Sequence, residues 1–65
     1  MMVEPGTRFT ALTDFYDFDL SSQYLAGMSY TVRAGDKDLA RLVPEWLCEG
    51  KVRIGGPAAK VQGEG

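Results

Sequence analysis

Between Tyr24 and Ile54 two hydrophobic periods follow one another along the chain. Met28, Tyr30 and Val32 alternate with Ser29, Thr31 and Arg33, the period of two expected of a strand with one buried face. Leu39, Leu42, Val43, Trp46 and Leu47 then fall at i, i+3, i+4, i+7 and i+8, which is one side of a helix. Gly50 stands where a helix ends in a left-handed residue, and Lys51-Val52-Arg53-Ile54 resumes the alternation. The predicted order is strand, helix, strand.

The flanks extend this pattern. Met1 to Gly6 reads as a lead-in, with a turn at Pro5-Gly6. From Arg8 to Phe15, Phe9, Ala11, Thr13 and Phe15 share one side, and the β-branched and aromatic content predicts a strand, with Leu12 partly covered on the other side. The strand over Gly27 to Arg33 alternates most cleanly and is expected to be central. Asp36 offers a helix N-cap, Asp38 suits the positive end of the helix dipole, and Arg41 and Glu45 are spaced for an i,i+4 pair. Pro44 has no N–H for the carbonyl of Ala40, but the apolar stripe keeps its phase through Trp46 and Leu47. A kinked helix is therefore expected rather than two helices, with Trp46 as a core anchor. After the last strand, Gly55-Gly56-Pro57 breaks the pattern, and the small polar residues beyond predict a flexible arm or a short final strand near Ala59 to Val61. The expected fold class is α+β: a small antiparallel β-sheet packed by one short kinked helix. Residues 1–6 form the lead-in, 7–55 the single domain and 56–65 the C-terminal arm.

Residues 14 to 23, DFYDFDLSSQ, are the least regular and carry the candidate chemistry. Asp17, Asp19 and Ser21 match the first spacings of a calcium loop, but the sixth position would be Ser22 instead of glycine and the twelfth Met28 instead of glutamate. No metal site is expected there. One reading is a long loop whose Phe15, Phe18 and Leu20 close one end of the core while the aspartates stay wet. The other is an acidic aromatic loop that docks a partner, with Tyr16, Phe18 and Tyr24 as rigid anchors and Asp14, Asp17 and Asp19 around them.

Composition narrows the classes. With 65 residues there is room for one domain and a small core. Cys48 is the only cysteine and there is no histidine, so neither an intramolecular disulfide nor the common zinc ligand sets are available, and Cys48 reads as a passive thiol. The net charge of −2 argues against a nucleic-acid surface, which calls for a clustered basic face. Its distribution is mildly uneven: the first half sets Arg8 against Glu4, Asp14, Asp17 and Asp19, which reads first as a solvated surface of mixed signs and only second as a polarity that would help identical subunits meet head to tail. No basic stretch precedes an apolar run at the N-terminus, and no apolar run is long enough to span a bilayer, so a soluble chain without an export signal or membrane contact is expected. No P-loop, G-x-S-x-G turn or histidine is present, and neither catalysis nor a cofactor is expected.

Two resemblances add to this reading. The block Gly27-Met28-Ser29-Tyr30-Thr31-Val32-Arg33, followed by Leu39, Leu42-Val43, Trp46 and Glu49-Gly50-Lys51-Val52, resembles small uncharacterised proteins of tailed bacteriophages that share a Y-T-V-R, helix with Trp, E-G-K-V pattern. It covers about half the chain and brings no functional residue with it. The resemblance implies a phage protein in the virion, as a decoration, head-completion or tail-associated subunit whose partners are phage structural proteins or its own copies. The rival it leaves open is a phage protein in the host cytoplasm that binds and inhibits a host enzyme. Ala11-Leu12-Thr13-Asp14-Phe15, the acidic loop, Gly27 before a strand and Gly56-Pro57 are also similar to SH3-type small barrels. The chain departs from them by lacking the paired tryptophans and by inserting a helix, which argues against a proline-peptide groove. In an assembly the C-terminal arm is expected to cross onto the adjacent subunit, with Val61 as its apolar contact and Lys60 near a carboxylate of the acidic 14 to 19 stretch.

Overall fold

The computed structural model describes residues 1–56. Five strands and one helix follow in the order β1 (Arg8–Ala11), β2 (Phe15–Asp17), β3 (Ser22–Tyr24), β4 (Ser29–Thr31), α1 (Lys37–Cys48) and β5 (Val52–Ile54). They form an antiparallel three-stranded sheet, β4-β1-β5, and an antiparallel β2-β3 hairpin. The α+β class expected from the periods is the one observed. The Ala59 to Val61 segment, most of the expected arm and the residues Lys60 and Val61 lie outside the described residues.

The sheet takes its two faces from register. Phe9 stands opposite Tyr30 on one side and Ile54 on the other, while Ala11 stands opposite Val52. Phe9, Ala11 and Val52 are buried there, with Tyr30 packed against them. Helix α1 lays Ala40, Val43 and Trp46 onto this core. The hairpin closes it by the rings of Phe15 and Tyr24, which lie 5.0 and 5.1 Å from the Trp46 ring. Phe9 sits 6.1 Å from Trp46 and 6.0 Å from Tyr24, so one aromatic cluster joins sheet, hairpin and helix.

Several expectations change on contact with this architecture. The central strand is β1 and not the cleanly alternating β4, which lies at an edge, because order in a sheet depends on which strands find partners on both sides. Met28, at the turn into β4, is 53% exposed rather than buried. The strand expected over 8 to 15 splits at Leu12, whose N–H still donates to Lys51 O at 2.7 Å. The chain then bends through Asp14, whose carboxylate accepts from the Ala26 N–H at 2.8 Å, and β2 begins in the second sheet. Leu47 is exposed and Ala40 takes a place on the buried stripe. The Asp36 side chain does not cap the helix: its carboxylate faces the Arg33 N–H at 3.4 Å, and only its backbone carbonyl serves α1, accepting from Ala40 N at 2.9 Å. Arg41 pairs with Asp38 at 2.8 Å and not with Glu45.

Both helix ends and its proline have definite solutions. At the C-terminus Gly50 takes φ of 79°, its N–H donates to Leu47 O at 3.2 Å, and the Lys51 N–H donates to Trp46 O at 2.9 Å. This double bond pattern around a left-handed glycine ends the helix and turns the chain into β5. Helix α1 runs through Pro44 as one element. Pro44 leaves the Ala40 carbonyl without its helical donor, and the Val3 N–H supplies one at 3.0 Å. The lead-in is thus a strap: Gly6 N–H donates to Val32 O, the Thr7 carbonyl accepts from Val32 N–H at 2.9 Å, and Val3 packs on the core.

An unpaired buried carbonyl costs about 1–3 kcal/mol, so deletion of residues 1–3 is predicted to destabilise the chain by about that amount in a denaturant titration. Pro44→Ala restores an N–H to the Ala40 carbonyl, and the same deletion should cost less in that background. Equal losses in both backgrounds would show that the strap acts through Val3 packing and not through this hydrogen bond.

Candidate functional site

The β2-β3 hairpin builds the candidate site from strand parity. Phe15 and Tyr24 stand opposite each other and face the core, with their rings 5.1 Å apart. Tyr16, one residue on, must face away. The four residues from 18 to 21 turn the chain, and the turn is pinned at its base: the Asp17 carboxylate accepts from the Leu20 N–H at 2.9 Å, and Ser21 adopts φ of 52°. What reads as a loop in the sequence is therefore a hairpin. Its register places Phe18 at the tip, 84% exposed, where it meets the 45%-exposed Tyr16 edge to face at 4.9 Å. Of the three residues expected to close the core, Phe15 and Leu20 pack on it and Phe18 does not.

The stretch divides between surface and core. Tyr16 and Phe18 form an exposed aromatic ridge, while Tyr24, expected as a third anchor, is 6% exposed and belongs to the core. Asp14 and Asp17 hold backbone N–H groups of the surrounding turns, and Asp19 lies exposed at the tip. No ion pair engages any of the three among the described residues. Lys51 reaches the inner side of the hairpin, 5.3 Å from the Phe15 ring centroid, and pairs with Glu49 at 3.2 Å. Beside the hairpin a cleft of about 350 Å³ opens toward the first turn of α1, between Leu20, Ser22 and Tyr24 on one side and Asp36, Lys37 and Leu39 on the other.

The opposite end of the charge distribution is a feature that sequence reading missed. Thr10 is paired with Ser29 and Arg53, and Arg8 with Thr31, so these side chains share the sheet face turned away from the core. Thr10 Oγ1 donates to Gly55 O at 2.8 Å and lies 2.8 Å from Ser29 Oγ, which fixes the chain as it crosses this face. Arg53 Nη2 donates to Gly56 O at 2.6 Å, and Arg8 lies so close over Gly56 that a Cβ there would stand 3.0 Å from Arg8 Cδ. Two guanidinium groups therefore converge on Gly56. Only the β1-β5 register joins residues so far apart in the chain, and no local spacing announces it. Cys48 is free and exposed, and among the described residues no three Asp, Glu, Cys or His side chains group as a metal site would require.

The class defined by this geometry is a small α+β domain with an acidic, aromatic-tipped hairpin held on its core. No protein-family model, curated protein or solved structure matches the chain.

Burial in the aromatic cluster pushes the Tyr24 phenol above its ordinary value of 10.0; Ser22 opposes the shift, and the charges of Asp17, Tyr30 and Asp36 add to it. The fold thus favours the neutral phenol. Its contribution is fully present below the unfolded value and is lost as pH rises through the raised folded value. An alkaline titration is predicted to show stability falling above about pH 10, less steeply in Tyr24→Phe. An identical alkaline decline in the variant would show that other groups govern it.

Proposed function

We propose that the protein is a non-enzymatic docking module that serves in a bacteriophage virion, as a decoration, head-completion or tail-associated subunit. The observation that carries the docking part is the exposure of Phe18 and Tyr16 together on a paired hairpin. Large aromatic rings in water on a rigid element lose little conformational freedom when covered, and such residues dominate binding energy at interfaces. The surrounding aspartates favour a partner with a basic surface. The virion assignment is supported by the Y-T-V-R, helix with Trp, E-G-K-V resemblance.

Mass spectrometry of purified virions encoded by the same genome tests the assignment: the protein should be present in multiple copies. Its absence from particles, with recovery on a host enzyme from infected cells, would replace the virion reading by the inhibitor reading. For the hairpin, Phe18→Ala is predicted to change stability by less than about 0.5 kcal/mol, as an exposed side chain should, while reducing incorporation into particles. Normal incorporation of a folded Phe18→Ala variant would remove the ridge from the docking account.

A further inference from the structure

Away from the helix, where Asp38 pairs with Arg41, two regions of the described chain each carry charge of one sign. No lysine or arginine occurs between Arg8 and Arg33, so the hairpin carries Asp14, Asp17 and Asp19 without a base of its own. On the outer face of the sheet, Arg8 and Arg53 converge on Gly56, and no carboxylate among the described residues pairs with either. Among the described residues no ion pair joins the two faces. Two arginines held close together gain from meeting carboxylates, and guanidinium planes also stack on exposed aromatic rings.

We propose that the partner of the hairpin is a second copy of this chain, whose Arg8 and Arg53 face receives Asp19, Phe18 and Tyr16. This rests on the docking reading above and names its occupant. The contact is heterologous: the head of one copy meets the sheet of the next, which leaves the sheet of the first and the head of the second free. Such contacts propagate into rings or filaments rather than stopping at a dimer. Backbone fixation on both sides favours this contact. The Asp17 bond to Leu20 N–H holds the tip, and the Thr10 bond to Gly55 O holds the segment on which the arginines lie.

Sedimentation velocity of the full chain over a concentration series, at low and high salt, tests this. The parent should grow beyond a dimer with concentration at low salt and dissociate at high salt. Asp19→Arg and Arg8→Glu, at side chains that bear none of the fold's hydrogen bonds described above, should each weaken association roughly tenfold or more while keeping the parent's thermal midpoint. An equimolar mixture of the two variants should recover association, because the arginine introduced into one hairpin then meets the glutamate introduced into the other variant's sheet. The double variant should recover it alone. A parent that stays monomeric at low salt, or association untouched by Asp19→Arg, overturns the inference. If the parent is monomeric but Phe18→Ala still abolishes incorporation into particles, the hairpin docks on a different protein and only the choice of partner falls. If Phe18→Ala has no effect either, the docking reading falls with it.

Discussion

The structure depends on the stack of aromatic rings around Trp46. Phe9 comes from the sheet, Phe15 and Tyr24 from the hairpin and Trp46 from the helix, all with ring centroids within 6.1 Å of Trp46. Each such pair contributes about 0.5–1.5 kcal/mol beyond simple burial. In a chain with one cysteine, where no internal disulfide can supplement a small core, that increment is a large part of net stability. Tyr30 of β4 adds to this seat, with its ring 4.9 Å from that of Tyr24. The placement of the hairpin, and with it the direction of the exposed ridge, follows from where Phe15 and Tyr24 are seated.

That arrangement also explains how one short stretch can be both core and surface. Alternation along β2 sends Phe15 inward and Tyr16 outward, and the turn carries Phe18 beyond the last pair of β2 and β3. The residues that anchor the hairpin are thus interleaved with those that it displays. The same division governs the sheet, where Phe9 fills the core while Thr10 holds the chain at Gly55 and Arg8 lies over Gly56 on the far face. An acidic aromatic head and a basic sheet face are consequences of strand parity in one small domain.

Much of the fold is legible in the sequence because it is periodic. The helix, its end at Gly50, its passage through Pro44 and the burial of Trp46 all follow from spacing and from the chemistry of single residues. Strand order is not periodic information. β4 alternates cleanly yet lies at an edge, since nothing within Ser29 to Thr31 encodes what lies beyond it. The hairpin hid in a polar stretch because three-residue strands are too short to display a period. Phe18, Phe15 and Tyr24 are equally aromatic in sequence, and only the register separates display from burial. The missing donor at Ala40 is predictable from Pro44, but the identity of Val3 as the donor is a tertiary fact. So is the meeting of Arg8 with Arg53, which no local signal precedes.

The central claim is that the aromatic cluster makes the hairpin one cooperative unit with the sheet and helix, so that the ridge is presented rigidly. Native-state hydrogen exchange tests it most directly, by comparing the slowest amides of β2 and β3 with those of β1. The account predicts that they open with the same free energy and the same denaturant dependence, as parts of one global unfolding event. Hairpin amides that exchange through a separate opening, at a free energy well below that of β1, would contradict it.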